Sequence, residues 1–243
     1  GEEKRDTKYM DKKIKRNIRQ AVLAALPLML GYIPVAIAFG LLAKNTGLSL
    51  MDTVLFSLIV YAGASQFMAL DLIIAGVSTA NIILATFLLN LRHLMMSASL
   101  SLKLDNVKKS LLPIIGYGIT DETFSLLSFK EGDLESPYVL TITVLAHLTW
   151  AAGTVLGYLI GEVLPSSLQS SLNIALYAMF AALLFPHFKI DKEILILSIL
   201  TAVIYIIIYS LKVFTSGWDI IIGIILSSAI GVIILNKKEG VDE

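Results

Sequence analysis

Four ionisable side chains lie inside long apolar stretches of this 243-residue sequence, where burying a charge is costly: Asp71, Arg92, Asp121 and Glu122. In a bilayer a mid-membrane charge costs about 2.5 to 3.5 kcal/mol on insertion scales, so such groups are expected to face a partner or a ligand. One cation with three carboxylates leaves carboxylate in excess. The spare carboxylate could carry a proton or bind an ammonium group.

The stretch NLRHLMMSASLS places its polar residues on two faces of a predicted helix. Asn90, His93, Ser97 and Ser101 fall within roughly 80° of one another at 100° per residue. Arg92 lies on nearly the opposite face, too deep in the apolar segment to reach water. We therefore expect Arg92 to meet an anion inside the protein, either one of the three carboxylates in a structural ion pair or an anionic group of a substrate.

Two apolar segments are interrupted by glycine and polar residues, in VYAGASQFMALDL and PIIGYGITDETFSL. The first carries Ser65 and Gln66, and the second carries Thr120, Asp121 and Glu122. Non-helical backbone at membrane depth is tolerated only where protein or a wet cavity surrounds it, so both segments are predicted to be broken or re-entrant helices. Glu122 is our first candidate for protonation, and Asp121 could instead cap the second half-helix.

The elements that position these residues are apolar segments long enough to cross a bilayer. Apolar residues make up 56% of the chain and charged residues 16%, and the mean hydropathy is +0.81. Soluble domains are less apolar and about 25% charged, so the composition predicts an integral membrane protein. Charges and turn residues divide the chain into eight apolar segments: 21–43, 53–77, 81–102, 111–129, 138–161, 172–188, 193–213 and 217–235.

The first twenty residues hold eight of the nineteen Lys and Arg residues, although the formal net charge is zero. The sequence thus predicts a basic cytoplasmic segment over 1–20, a single transmembrane domain over 21–235 and a short polar tail over 236–243. The apolar run after the basic segment is long and lacks a cleavage site of small residues, so we interpret it as a membrane span and not as a secretory signal.

The distribution of lysine favours six full spans. Segments 53–77 and 111–129 would then enter the membrane and return to the side from which they came. Excess Lys and Arg mark cytoplasmic loops. Beyond the basic amino terminus, this topology places eight lysines inside and two outside, whereas eight full spans would place five on each side. The fold predicted is therefore an all-α polytopic membrane protein with about six spans and two broken or re-entrant segments. Both termini are then cytoplasmic, and eight full spans remain the alternative.

Several classes of chemistry find no support in the sequence. There is no cysteine, which excludes disulfides, thiol chemistry and Cys-ligated metals, and no G-x-x-x-x-G-K-[ST] phosphate loop, which excludes nucleotide hydrolysis by that route. We predict no cofactor and no metal site. The stretch GASQ resembles the G-x-S-G of intramembrane serine proteases, with Gln66 in place of the second glycine. An intramembrane hydrolase and a channel for a small polar solute are the alternatives to a transporter. For His147 and His187 a hydrogen-bonded core or interface role is favoured over a proton relay.

Four sequence blocks together resemble the AzlC family of branched-chain amino acid exporters. They are LPLMLGYIPVAIAFGLLAKNTGLS at 26–49, YAGASQFMALDLI at 61–73, NLRHLMMSASLS at 90–101 and YGITDETFSL at 117–126. The resemblance implies a non-enzymatic plasma-membrane protein that exports leucine, isoleucine and valine, sometimes methionine, driven by the proton gradient. It also implies a second, small membrane subunit of the AzlD type, and no role for nucleic acid.

The positions that match the motifs of the family are the candidate residues for substrate binding or coupling: Ser65, Gln66, Asn90, Arg92, His93, Thr120, Asp121 and Glu122. A zwitterionic amino acid needs an anion-binding and a cation-binding element close together. These residues could supply both.

Overall fold

A computed structural model describes residues 2–161 and 192–211 without a gap, and isolated positions at 167, 174, 178, 181, 185, 188, 222–223, 225–227 and 229–232. The described part is helical, with a single 3-10 turn at Lys109–Leu111 and no β-strand among those residues. The helices are α1 (Glu2–Asn45), α2 (Leu50–Ile59), α3 (Gly63–Ile74), α4 (Thr79–Ser101), α5 (Leu112–Tyr117), α6 (Asp121–Ser128), α7 (Ser136–Ile160) and α8 (Lys192–Leu211).

The helices follow the predicted apolar segments, which confirms the all-α polytopic fold. Three of the described helical stretches are long and apolar enough to cross a membrane: Asp11–Asn45, Thr79–Ser101 and Ser136–Ile160. Helix α8 corresponds to segment 193–213, of which residues 193–211 are described. Segments 172–188 and 217–235 and the tail 236–243 lie for the most part outside the described residues, as do Glu162, His187 and Asp219.

Both segments predicted to be broken are broken. Segment 53–77 forms α2 and α3, of ten and twelve residues, and segment 111–129 forms α5 and α6, of six and eight residues. A straight helix needs about 20 residues to cross the hydrocarbon, so none of these four helices spans it alone. Whether each segment crosses or re-enters stays a prediction.

By its internal contacts the chain divides into two compact units. The first comprises Gly1–Gln66 and Asn90–Asn173, and the second comprises Phe67–Leu89 and Ile174–Glu243. All eight candidate residues belong to the first unit. Asp71, the remaining intramembrane carboxylate, belongs to the second unit and is exposed on α3.

Helices α1 and α7 form the close-packed centre of the first unit because small residues line their contact. A Cβ added to Gly153 would lie 2.6 Å from the Cβ of Ala36, and one added to Gly157 would overlap the Ile37 carbonyl. Gly40 of α1 meets the backbone of α7 at Thr154 in the same way. Small residues four apart allow helix backbones to approach closely in membranes, where apolar burial alone does not drive helix association.

Replacing Gly157 with alanine is expected to lower the melting temperature of the detergent-solubilised protein, because the added methyl group meets backbone on α1. Overpacking of this kind costs about 1 to 3 kcal/mol. Gly31→Ala is the matched control, because it also lies inside a helix but a Cβ there meets nothing within 4 Å. The control should be neutral or slightly stabilising, as Gly→Ala usually is in an unobstructed helix. Equal melting temperatures for the two variants would contradict the packing described.

The basic part of α1 is held to the start of α7 by polar contacts. Lys13 Nζ lies 2.9 Å from one carboxylate oxygen of Glu135, and Asn17 Nδ2 donates to the other at 2.6 Å. The hydrogen bond from Lys13 holds the pKa of the Glu135 carboxyl below its ordinary value. Because Lys13 and Glu135 lie outside the apolar segments and water reaches both side chains, this ion pair contributes under about 1 kcal/mol.

Candidate functional site

One face of α7 carries the residues on which both broken segments pack. Thr143, His147, Trp150 and Thr154 follow one another at spacings of four, three and four, which places them on one side of a helix. Thr143 and Trp150 are separated by two turns, about 10 Å along the axis. These four residues are called the α7 face below. The two breaks therefore lie against one rigid helix, two turns apart.

The first break, between α2 and α3, packs on the carboxyl-terminal half of the α7 face through Gly63 and Gln66. A Cβ on Gly63 would come within 2.9 Å of the Trp150 ring. The Gln66 amide is fully buried, accepts from Trp150 Nε1 at 3.0 Å and donates to Ser57 Oγ at 3.1 Å. The Ser57 hydroxyl lies 2.8 Å from that of Thr154. Gln66 is thus engaged on both its oxygen and its nitrogen, and it fixes the first turn of α3 to α7.

The second break, between α5 and α6, packs on the amino-terminal half of the α7 face. Helix α6 begins there with a capping box. A Cβ on Gly118 would lie 2.7 Å from the Thr143 Cβ. Thr120, not Asp121, is the N-cap of α6: its hydroxyl accepts from the Thr123 backbone N–H, and Thr123 accepts from the Thr120 backbone N–H. The alternative in which Asp121 caps this helix is wrong, because the threonine pair already satisfies the cap and leaves Asp121 available to Arg92.

Glu122 is tied to α1 by the buried Tyr32. The Tyr32 hydroxyl donates to Glu122 Oε2 at 2.7 Å and lies 2.6 Å from the Thr120 hydroxyl. Since the single hydroxyl proton of Tyr32 goes to Glu122, Thr120 acts as donor to the Tyr32 oxygen. Glu122 is half-buried in the first turn of α6. A change in the protonation of Glu122 would alter its hydrogen bond with Tyr32, and therefore the contact between α1 and α6.

Arg92 meets a carboxylate of the protein. Its Nη1 lies 3.0 Å from Asp121 Oδ2, which joins α4 to the start of α6. The Arg92 Nε is buried and has no hydrogen-bond partner among the described residues. His93 is half-buried and lies within electrostatic range of this ion pair. Of the two alternatives for Arg92, the geometry realises the ion pair between helices.

Ser65 and Asn90 form a separate contact on the other face of α4. The fully buried Ser65 hydroxyl donates to Asn90 Oδ1 at 2.5 Å. As the helical wheel predicts, Asn90 and Arg92 contact different elements. Nucleophilic activation of Ser65 would require a basic partner such as histidine. The hydroxyl is bonded instead to an amide oxygen, an arrangement that does not favour a hydrolase.

The two breaks also contact each other through aromatic rings that sequence reasoning did not select. Tyr61 occupies the first break with φ of 42°, the single positive-φ residue other than glycine among those described. Its ring stacks on His147 with centroids 4.3 Å apart and lies 6.1 Å from that of Tyr117. The Tyr117 hydroxyl donates to the Leu58 carbonyl at the end of α2. The sequence signal that could have identified this contact is the spacing of polar residues along α7, which places His147 between Thr143 and Trp150 on one face.

Comparison with known proteins decides the family. Residues 27–164 match the family model described as AzlC protein, more than half of the chain. The chain belongs to the AzlC family. All eight candidate residues of this AzlC-family protein, and both breaks, lie inside the matched region.

The relatives of this AzlC-family protein are membrane proteins from archaea and bacteria. An uncharacterized membrane protein of Archaeoglobus fulgidus is 34% identical over 70% of this chain and 76% of its own length. The inner membrane protein YgaZ of Escherichia coli is 32% identical over 68% and 71%. The branched-chain amino acid transport protein AzlC of Bacillus subtilis is 25% identical over 72% and 69%. No solved structure matches.

Proposed function

We propose that this protein is a secondary transporter that exports branched-chain amino acids, namely leucine, isoleucine and valine, and also methionine. The observation that carries the proposal is that two broken helices contact each other through Tyr61 and Tyr117, beside the half-buried carboxylate of Glu122. In addition, the Bacillus subtilis relative is named as a branched-chain amino acid transport protein. Discontinuous helices of this kind form the substrate and ion sites of many transporters. Export is coupled to the proton gradient, and Glu122 carries the proton.

The chemistry of the site suits a zwitterion with an apolar side chain. Glu122 offers a carboxylate in addition to Asp121, which is already paired with Arg92. The first turn of α3 offers backbone N–H groups, which an α-helix leaves unsatisfied at its start. In this assignment Ser65, Asn90 and His93 line the path on α3 and α4, and Gln66 positions α3.

The proposal includes a topology and a partner. Both termini are cytoplasmic, the protein resides in the plasma membrane, and the segments 53–77 and 111–129 re-enter from opposite faces. A small membrane subunit of the AzlD type works with it. Support for the topology comes from the basic residues of α1 and from the shortness of α2, α3, α5 and α6.

Counterflow tests the function. Vesicles containing the protein and a co-produced small subunit are preloaded with unlabelled leucine and diluted into trace labelled leucine. A transporter exchanges one for the other, so labelled leucine should accumulate transiently above its external concentration. Vesicles without the protein, and vesicles preloaded with an acidic amino acid such as glutamate, are the controls.

The alternatives give different results in the same assay. A channel would equilibrate leucine without transient accumulation, and a hydrolase would give no leucine exchange at all. Either result would contradict the proposed transport function.

A further inference from the structure

The Tyr61 hydroxyl is a buried polar group that has the Tyr32 hydroxyl as a neighbour but is not satisfied by any of the residues that the structure describes. Tyr61 is 3% exposed, and its hydroxyl makes no well-formed hydrogen bond with any described residue. Leaving a buried hydroxyl unsatisfied costs about 1 to 3 kcal/mol. Native proteins rarely retain such a group unless a ligand, water or ion completes it.

The surroundings of this hydroxyl indicate the chemistry of the missing partner. It lies within electrostatic range of the Glu122 carboxylate and close to the Tyr32 hydroxyl, whose proton is already donated to Glu122. The neighbouring groups therefore present oxygen atoms and negative charge. A partner that brings its own hydrogen atoms and a positive charge fits this environment, whereas a second carboxylate would be repelled.

The aromatic rings around Tyr61 fit the same kind of partner. Tyr61 lies beside Tyr117 and stacks on His147, and Tyr32 contacts Trp150 edge to face with centroids 5.4 Å apart. The faces of tyrosine and tryptophan rings attract cations, most strongly where water is excluded. An ammonium group can use both the hydroxyl oxygen and these rings.

We propose that the α-ammonium group of the transported amino acid binds to the Tyr61 hydroxyl at the first helix break, near Glu122. The inference rests on the proposed transport function and names a substrate-binding residue for it. Because Tyr61 is covered by Tyr117 and His147 in this conformation, substrate reaches the hydroxyl when those rings move apart. Such movement is what alternating access requires of an occluded site.

Tyr61→Phe separates binding from folding, because it removes the hydroxyl and keeps the ring. The half-saturation concentration for leucine in counterflow should rise at least about tenfold, the loss of one bond to a charged group. The melting temperature should stay equal or rise, because the variant deletes an unsatisfied polar group. Tyr158→Phe is the matched control: the Tyr158 hydroxyl donates to the Leu48 carbonyl at 3.0 Å, so this change should lower the melting temperature and leave half-saturation unchanged.

Two leucine analogues identify the group that Tyr61 binds. 3-Methylbutylamine lacks the carboxylate and 4-methylpentanoate lacks the ammonium group. Competition by the amine against leucine should weaken in Tyr61→Phe relative to wild type, and competition by the acid should not change.

The possible results distinguish the inference from the function on which it rests. Normal leucine exchange with unchanged half-saturation in Tyr61→Phe would overturn the inference and leave the transport function standing. A fall in melting temperature like that of Tyr158→Phe would show that the hydroxyl has a structural partner, which also overturns the inference. Weaker competition by the acid alone would overturn the assignment to the ammonium group. Absence of exchange by the wild-type protein would overturn the transport function itself, and with it the inference.

Discussion

Replacing Arg92 with methionine is expected to lower the stability of the protein by about 3 kcal/mol, because Asp121 is then left charged inside the membrane without its partner. Asp121→Asn should be similarly harmful, since it strands the guanidinium. The double variant should recover most of the loss, because it removes both charges together. Melting of the detergent-solubilised protein, followed by the monodisperse fraction on size-exclusion chromatography, measures all three.

The control for this cycle is the ion pair between Lys13 and Glu135. Lys13→Met breaks a contact of 2.9 Å with Glu135, but both residues lie outside the apolar segments, where water screens the charges, so the loss should stay under about 1 kcal/mol. A double variant no more stable than Arg92→Met alone would show that Arg92 and Asp121 are not coupled. A double variant that is stable yet cannot exchange leucine would give Arg92 or Asp121 a role beyond the ion pair. For Arg92, the Nε that has no hydrogen-bond partner among the described residues could contribute to that role.

Replacing Glu122 with glutamine is expected to reduce export driven by a pH gradient by at least roughly tenfold, because the amide cannot carry a proton. The Gln oxygen can still accept the hydrogen bond that Tyr32 donates to Glu122 at 2.7 Å, so the fold should be retained. Exchange of leucine for leucine at saturating concentration needs no net proton movement and should persist. Its half-saturation concentration should rise, because the negative charge near Tyr61 is lost.

Both transport modes are measured in one set of vesicles, with Glu131→Gln as the matched control. Glu131 is exposed and lies in the connection between α6 and α7, so this variant should behave as wild type in both modes. If Glu122→Gln retained pH-driven export, Glu122 would not be the proton carrier. Equal loss of pH-driven export and of exchange at saturating leucine would assign Glu122 to substrate binding or folding instead.

The helix breaks were predictable from composition, but the role of the glycines was not. The sequence predicts that Gly63 is part of the first interruption, whereas in the structure it is the first residue of α3 and the break precedes it at Tyr61. Glycine at position 63 permits close approach to Trp150. The residue that leaves the helical backbone conformation is Tyr61, with φ of 42°. The sequence nevertheless predicts the break in the correct segment, because glycine is common both where helices pack closely and where helices end.

The candidate residues divide according to what they contact. The sequence predicts that Arg92 meets an anion, either one of Asp71, Asp121 and Glu122 or a group of the substrate. In the structure it pairs with Asp121. The sequence predicts that Gln66 binds substrate, yet its amide group is hydrogen-bonded to Trp150 and Ser57. A single sequence does not reveal such commitments, because both partners are distant in the chain.

The sequence by itself determined that this is an all-helical membrane protein with a lone deep arginine, surplus carboxylates and two interrupted helices. Those conclusions follow from local quantities, namely hydropathy over a span, helical periodicity and the cost of a charge in hydrocarbon. Only the tertiary structure decided that Thr120 caps α6, that Arg92 pairs with Asp121 and that Tyr61 holds a buried hydroxyl beside Glu122. These contacts depend on how closely α1 and the two breaks pack on α7, which is set by backbone approach between residues far apart in sequence.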